Sequence, residues 1–415
     1  MKKVFNLLVS FVLIAGFSAC SKDDSGNQQV PKNPVPSADY KGLAFISSGE
    51  STVRLAQVGT PYEISLEYST DETHWKPYTI GETITLADST FLLFRAGEKN
   101  NLKFSKDFDN YYHFEISGPI TAQGSIMSLL SRDFSIPLPA YAFFALFKGC
   151  TSLLSAPELT ATTLEEGCYF QMFQECTGLK SVPKLPVKVL ATNCYRQMFY
   201  RCSALTSAPE LPATTLADNC YFSMFFDCTG LASAPELPAT SLSNGCYRQM
   251  FRNCSSLTSA PELPATSLEN KCYSQMFSRC SALTSAPELP ATTLATFCYT
   301  GMFSICTGLT SAPELPATTL ADFCYASMFF GCTGLTSAPE LPAKELIRKC
   351  YQLMFKDCSK LRYVKALFTT RPSEETTKDW LSGVAASGTF VKSKNATWNV
   401  TGVHGIPNGW KIETQ

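Results

Sequence analysis

Seventeen of the eighteen cysteines lie in one stretch of the chain, where they form two columns with a shared period of 26 residues. The spacing between consecutive cysteines alternates between 18 and 8 residues. Thiols at this density could form disulfides, bind a metal ion or remain reduced in a core. Tetrahedral zinc sites use pairs of cysteines about two to four residues apart, which these spacings do not provide. The first column comprises Cys150, Cys176, Cys202, Cys228, Cys254, Cys280, Cys306, Cys332 and Cys358, and the second comprises Cys168, Cys194, Cys220, Cys246, Cys272, Cys298, Cys324 and Cys350.

The odd number of repeat cysteines argues against simple disulfide pairing. Joining cysteines eight residues apart leaves Cys150 alone, whereas joining those eighteen apart leaves Cys358 alone. Before the first full unit, Ala142 stands where a cysteine is expected while Cys150 is kept, so the two columns are separable. We therefore expect two columns of buried free thiols that pack as small apolar side chains. Disulfides within a unit are the alternative, and a bound metal is the least favoured of the three.

The regular period indicates an array of small stacked units. One unit of 26 residues cannot bury its own apolar face, so neighbouring units must share a continuous core. The unit from Cys202 reads CSALTSAPELPATTLADNCYFSMFFD, and eight full units follow an incomplete opening one. The sequence therefore predicts a repeat solenoid over residues 133–365.

The sequence of each unit predicts one short strand and one short helix. Cys220, Met224, Phe225 and Cys228 are spaced at i, i+4, i+5 and i+8, which is typical of one face of a helix. Earlier in the unit, Pro209 lacks an amide hydrogen and recurs in every unit, so a parallel ladder must be short and end near it.

One run within the unit resembles a known family. Met224 and Phe225 through Cys228 to Leu231 are similar to the Ala-Phe-x-x-Cys-x-x-Leu core of BspA-type bacterial leucine-rich repeats. The likeness covers about 230 of the 415 residues and departs from the family in the longer unit and the Ala-Pro-Glu-Leu-Pro segment. The resemblance implies a right-handed, leucine-rich-repeat-like coil. It also implies a surface protein of adhesive or interaction character.

The N-terminus predicts export. Residues 1–19 combine a basic start with an apolar stretch too short to span a bilayer, which is typical of a signal peptide. The sequence FSAC ending at Cys20 resembles a lipoprotein cleavage site, and the SKDD that follows resembles the surface-export tag of Bacteroidetes lipoproteins. We therefore expect lipidation of Cys20, a flexible tether over residues 20–38 and attachment to the outer membrane through lipid.

Two other regions flank the array. Residues 39–132 contain no cysteine and predict a small, immunoglobulin-like β-sandwich, with alternation of apolar and polar residues over 62–68. Further strands are predicted at 83–86, 90–96 and 112–117.

Residues 366–415 predict a C-terminal cap. A helix is expected over 372–384, and short strands are expected at 388–391, 397–401 and 410–413. Such a block would cover the last open face of the array.

The composition favours neither catalysis nor nucleic-acid binding. The formal net charge is −1, and no basic block suited to phosphates is present. The three histidines, His74, His113 and His404, lie outside the array and beside no nucleophile motif, so we expect no catalytic residues. The sequence also suggests no cofactor and no metal site.

A column of carboxylates recurs in the proline segment. Like charges in a stack repel, so these side chains must be solvated or hydrogen-bonded. A solvated edge is the expected interpretation, and a stripe for cations or basic ligands is the alternative. The column comprises Glu158, Glu210, Glu236, Glu262, Glu288, Glu314 and Glu340, with Lys184 interrupting it.

Ligand contacts are expected where the units differ, beside the constant Tyr and Phe, as at Phe170, Arg196 and Phe222. Phe222 with Phe226, and Phe323 with Phe330, are candidate exposed aromatic patches, although packing between units would explain them as well. The sequence thus predicts a non-enzymatic, surface-exposed lipoprotein that binds a host or bacterial protein or glycan. The alternative is a structural spacer without a ligand of its own.

Overall fold

A computed structural model of the chain describes residues 35–415. The predicted signal peptide 1–19, the lipidation site Cys20 and most of the tether 20–38 lie outside the described residues.

The N-terminal region folds into two sheets. Its strands are β1 (Leu43–Ser47), β2 (Ser51–Val58), β3 (Leu66–Ser69), β4 (Lys76–Pro77), β5 (Thr83–Leu86), β6 (Phe91–Ala96), β7 (Ser105–Asp107), β8 (Asn110–Ser117) and β9 (Ile120–Gln123), followed by a 3-10 helix at Ile126–Leu129 and β10 (Leu153–Ser155). One sheet has the order β10-β9-β1-β6-β3-β4, and the other has the order β5-β2-β8-β7. All neighbouring strands are antiparallel except β9 and β10, which are parallel.

The strands predicted at 83–86, 90–96 and 112–117 are present as β5, β6 and β8. The strand predicted over 62–68 is shorter, because only Leu66–Ser69 pairs with β6. Just before it, the Asn101 side chain accepts from the amide of Ser65 at 2.7 Å and donates to its carbonyl at 2.8 Å. The Ser65 carbonyl also accepts from the amide of Gly97 at 2.8 Å, so the pairing with β6 ends there in a mixture of backbone and side-chain bonds.

The two sheets are continuous with the array. Ile120 of β9 pairs in parallel with Leu153 of β10, which belongs to the first full unit. The amides of Phe104 and Phe114 donate to the carbonyls of Ala142 and Leu146 in the opening unit, both at 2.7 Å. One apolar core therefore extends without a break from the sheets through every unit.

The segment predicted as a helix in each unit is instead a chain of tight turns, so that prediction is wrong. In the segment Asn193–Arg201, every fourth residue has a left-handed backbone, with φ of 56° at Asn193, 53° at Gln197 and 62° at Arg201. Alternate amides bond within the unit, as Met198 does to Tyr195 at 3.2 Å. The amides between them donate to the next unit, as Tyr195 does to Cys220 at 3.0 Å. We call this segment and its equivalents in the other units the turn segment.

The period of the pattern explains the difference. The buried pairs Cys194-Tyr195 and Met198-Phe199 recur after four residues, and Cys202 follows after four more. A helix would rotate such a stripe away from the core, since it turns once in about 3.6 residues. A repeat of four with a left-handed residue in each step keeps the stripe facing inward. Among the described residues the single α-helix is Glu374–Thr377.

Two aromatic ladders run through the core. Tyr169, Tyr195 and their equivalents to Tyr351 stack with neighbouring rings 5.8–6.0 Å apart. Phe147 and its equivalents to Phe355 stack at 5.4–5.8 Å. Stacked, buried rings contribute both apolar burial and favourable ring contacts, so these ladders align every unit with the next.

The proline side of each unit is extended but barely paired. Ser207 forms a parallel bridge with Ser233, which forms one with Ser259. The bridge lies two residues before Pro209, so the prediction of a short ladder ending near the proline is confirmed. The coarse prediction of a repeat fold with a period of 26 residues is confirmed as well.

The C-terminal region continues the stack. Strands β11 (Tyr363–Ala366), β12 (Thr389–Lys392) and β13 (Lys411–Thr414) form a parallel sheet. The helix predicted over 372–384 is limited to α1 (Glu374–Thr377) and continues as turns. The predicted strand 397–401 is absent except for a bridge from Thr401 to Ile406. The Trp380 ring stacks on Tyr351 at 6.2 Å and ends the tyrosine ladder.

Candidate functional site

The seventeen repeat cysteines are buried free thiols. In the first column the thiol bridges two units, since Cys228 Sγ donates to the carbonyl oxygen of Phe199 at 3.0 Å. Equivalent bonds of 3.0–3.1 Å recur from Cys150 to Cys358. In the second column the Cys220 thiol lies beside the backbone of Ala217 and Tyr221 in its own unit and near the equivalent cysteines of both adjacent units. The columns thus have different structural roles, and both agree with free thiols.

The thiols are protected from chemistry. Burial raises the pKa of Cys246 to about 12, and burial raises the pKa of Cys228 as well. The thiolate is the reactive form of cysteine, so these side chains are poor nucleophiles and poor metal ligands. Among residues 35–415, no three His, Cys, Asp or Glu side chains come together in a way that could hold a metal ion.

The Ala-Pro-Glu-Leu-Pro segments form one surface, here called the proline–glutamate face. Between successive segments lie shallow grooves, and the one between Pro209 and Pro235 has a volume of about 430 Å³. Similar grooves of about 470, 360 and 260 Å³ lie elsewhere along the face. Each is lined by prolines of two neighbouring units and by a glutamate from each, except that Lys184 takes the place of one glutamate in the groove of about 470 Å³. The repeated sequence thus produces a repeated groove along this face.

The glutamates of this face are exposed, as the solvated-edge interpretation expects. Glu210, Glu236 and Glu262 all point to solvent. Glu340 differs, because Lys365 of the following segment forms an ion pair with it at 2.8 Å.

The opposite surface, here called the turn face, consists of the outward side chains of the turn segments and carries the candidate aromatic residues. Phe222 is half-buried and lies between two guanidinium groups, with Arg196 at 4.8 Å and Arg248 at 5.2 Å from its ring centre. Phe226 is half-buried as well. It stacks on Tyr200 at 4.8 Å, with Arg252 at 5.3 Å from its ring centre.

The second predicted aromatic pair is Phe323 with Phe330. Phe323 stacks on Phe297 of the preceding unit at 4.4 Å, with Arg348 and Lys349 at 5.3 and 5.4 Å from its ring centre. Phe330 is half-buried, and its carbonyl accepts from the amide of Ile305 at 2.6 Å. The rings of Phe222, Phe226 and Phe323 contact neighbouring units, which is the packing that the sequence left open beside an exposed patch.

Sequence reasoning missed the arginines that cover these rings. The signal was present, since Phe170, Arg196, Phe222 and Arg248 follow one another at intervals of 26 residues. Such an alternation predicts cation–π contacts once stacking is accepted. The histidines make no contact with these arginines in the described structure. His113 is half-buried with its pKa lowered by burial, and His74 contacts Asp71.

No protein-family model matches the chain, and searches of curated proteins and of solved structures return no match either. None of the helices described between residues 35 and 415 has the length and apolar character needed to cross a membrane. Functional inference therefore rests on the residues themselves.

Proposed function

We propose that this protein is a non-enzymatic, cell-surface lipoprotein whose repeat array binds a protein or glycan. One observation carries the proposal: the buried residues of the units are nearly identical, whereas the turn face differs from unit to unit. At the position after the constant tyrosine the successive residues are Phe170, Arg196, Phe222, Arg248 and Ser274, of which the middle three are half-buried and the first and last are buried. A constant core supports stacking, and varied outward columns suit recognition of a partner.

The array is proposed to be a leucine-rich-repeat-like solenoid. The Met-Phe-x-x-Cys-x-x-Leu run supports this proposal, because its cysteine occupies a regular position in the stack and bonds to the preceding unit. The left-handed turn segments are a departure that the longer unit accommodates.

Membership of the BspA-type group is proposed on the same run. The adhesive character proposed for this chain comes from that likeness and from the varied turn face.

Anchoring through Cys20 is proposed from the sequence FSAC and the SKDD after it. The test is a Cys20→Ala variant of the full chain expressed in a bacterium that makes lipoproteins. We expect the variant to be absent from the membrane fraction. We also expect added protease to cut the wild-type protein on intact cells. Membrane retention of the variant, or full protection from protease, would contradict the proposed anchor or location.

Binding is tested by screening a soluble fragment, residues 21–415, on arrays of glycans and extracellular-matrix proteins. We expect saturable binding to at least one class. A fragment of matched charge, in which Phe222 and Phe323 are both replaced by Leu, reports whether the turn face is involved. Silence on both arrays, together with normal surface display, would favour the alternative of a spacer that holds other groups away from the membrane.

A further inference from the structure

One column of the turn face alternates aromatic rings with guanidinium groups. Phe170, Arg196, Phe222 and Arg248 come from four successive units and lie one above another. Arg196 is sandwiched between two rings, at 5.0 Å from the centre of Phe170 and 4.8 Å from that of Phe222. Rings on both sides hold a guanidinium group in place, so that donation to a ligand falls to its terminal Nη atoms.

The two arginines of this column lack an opposite charge. In the described part of the chain, neither Arg196 nor Arg248 has a carboxylate within ion-pair distance, and the Nε atom of each is buried without a hydrogen-bond partner. The polar contact of Arg196 is a bond from Nη1 to the side-chain oxygen of Asn193 at 3.3 Å. Burial and the neighbouring charge of Arg248 lower the pKa of Arg196. Two like charges are thus held close together without compensation.

Four acidic side chains in or beside these turn segments already have partners. Glu175 and Asp227 both bind Arg201, at 3.3 and 3.4 Å. Glu166 accepts from the hydroxyl of Tyr141 at 2.7 Å, and the amide of Asn244 donates to Asp218 at 3.0 Å. The unpaired positive charge of Arg196 and Arg248 is therefore available to an external anion.

We propose that Arg196 and Arg248 form a binding site for an acidic glycan, a role that rests on the proposed function of the array. Guanidinium groups recognise carboxylate and sulfate groups through paired, charge-assisted hydrogen bonds. The distances to Phe222 place the two charges about 10 Å apart at most, so one oligosaccharide with repeated anionic groups can reach both.

The neighbouring groups favour a glycan over an acidic peptide. Guanidinium groups cover both sides of the Phe222 ring, which leaves little open apolar surface for peptide side chains. Beside the column stand the amides of Gln197 and Gln249, which accept from Gln171 and Ser223 at 3.0 and 3.2 Å. Amide groups next to fixed positive charges match a ligand that carries both hydroxyl and anionic groups.

The test measures binding of the full chain in detergent to four polymers. Polygalacturonate carries carboxylates, chondroitin sulfate also carries sulfates, dextran is a neutral glycan, and poly-L-glutamate is an acidic peptide. We expect one or both acidic glycans to bind in a salt-sensitive way. The double variant Arg196→Gln and Arg248→Gln should weaken that binding by about tenfold or more, since two charge-assisted contacts are lost.

The matched control is Arg201→Gln, which removes one positive charge from the same face where Glu175 and Asp227 already neutralise it. We expect this variant to bind nearly as wild type. Arg248→Lys, which keeps the charge and loses the planar fork, should bind with intermediate affinity. Thermal melting of each variant reports whether the fold is intact.

If an acidic glycan binds, three results would still overturn the inference. These are equal binding of dextran, stronger binding of poly-L-glutamate than of either acidic glycan, and unchanged binding in the double variant with melting intact. Absence of acidic-glycan binding while the arrays reveal another ligand refutes this site and leaves the proposed function standing. Absence of binding in both experiments refutes both this site and the proposed function.

Discussion

The two long sides of each repeat unit connect to the next unit in different ways. On the turn side, five amides of Asn193–Arg201 donate across the boundary, at 2.8–3.1 Å, and the tyrosine and phenylalanine ladders lie behind them. On the proline side, residues 208–212 take part in no backbone hydrogen bond in the described structure, and isolated bridges on either side of them, from Ser207 to Ser233 and from Thr215 to Val189, link the units. The turn side thus holds the stack, and the proline side leaves grooves between units.

This contrast has a simple origin in the backbone. A proline has no amide hydrogen, so two prolines in five residues prevent a continuous ladder. The turn segments do the opposite, because each left-handed residue redirects the chain so that every second amide points to the neighbouring unit. The side that fixes the units is also the side that shows different residues in each unit, which makes its outward columns rigid.

The largest expected effect is alkaline unfolding driven by the turn side. Burial raises the pKa of Cys350 to about 11 and that of Cys246 to about 12, above the ordinary thiol value of about 8.5. The folded state keeps protons that the unfolded chain releases. The stabilisation is therefore complete below about pH 8.5 and is lost as pH rises toward 11 to 12. Each such thiol lowers the unfolding free energy by about 1.4 kcal/mol per pH unit in that window.

The measurement is the melting temperature between pH 7 and 11 in the presence of a reducing agent. We expect the melting temperature to fall steeply above about pH 9. In a separate sample without reducing agent or denaturant, we expect the thiols to be fully protected from a thiol reagent at pH 8. Denaturant should release all seventeen. A melting temperature that stays level to pH 11 would show that the thiols are not held as the structure places them.

A break in the phenylalanine ladder should have the next largest effect. Phe251 is fully buried and stacks on Phe225 at 5.6 Å and on Phe277 at 5.7 Å. Phe251→Ala should destabilise the protein by about 3–5 kcal/mol, through lost burial and a cavity in the middle of the stack. Urea unfolding followed by circular dichroism measures the change. The transition should also broaden or split, since stability in a repeat array is shared between neighbours. A loss below about 1 kcal/mol would mean that the ladder does not hold the units together.

The two cysteine columns offer a finer comparison within the turn side. The Cys228 thiol donates across the boundary to the carbonyl of Phe199, whereas the Cys220 thiol donates no such bond in the described structure. Both are fully buried, so replacement by Ala removes the same volume. We expect Cys228→Ala to cost about 0.5–1.5 kcal/mol more than Cys220→Ala, which is the net contribution of one hydrogen bond. Equal losses in urea unfolding would show that the bond across the boundary contributes nothing.

The sequence revealed the period, the cysteine columns and the limit that Pro209 places on pairing, because each depends on residue types alone. It did not reveal the turn segments. A stripe at i, i+4, i+5 and i+8, as at Cys220 and Phe225, fits a helix as well as a four-residue turn, and the left-handed positions carry ordinary residues such as Gln197 and Arg201. That backbone is favourable only because carbonyl oxygens of the neighbouring unit accept a hydrogen bond from every second amide. For the same reason the column from Arg196 to Arg248 emerged only once the stacking was known.

The smallest expected effect lies on the proline side. Glu262 is exposed, and the same position carries Glu236 in the unit before it and Glu288 in the unit after it. Like charges in a row repel weakly in water, so Glu262→Gln should leave stability within about 0.5 kcal/mol of wild type and should raise it slightly at low salt. That gain should vanish at high salt, because screening removes the repulsion. Urea unfolding at two salt concentrations tests this, with Glu165→Gln, outside the row, as the control. A loss of more than about 1 kcal/mol of unfolding free energy would mean that the glutamates make stabilising contacts within the protein. The proline side would then help to hold the stack.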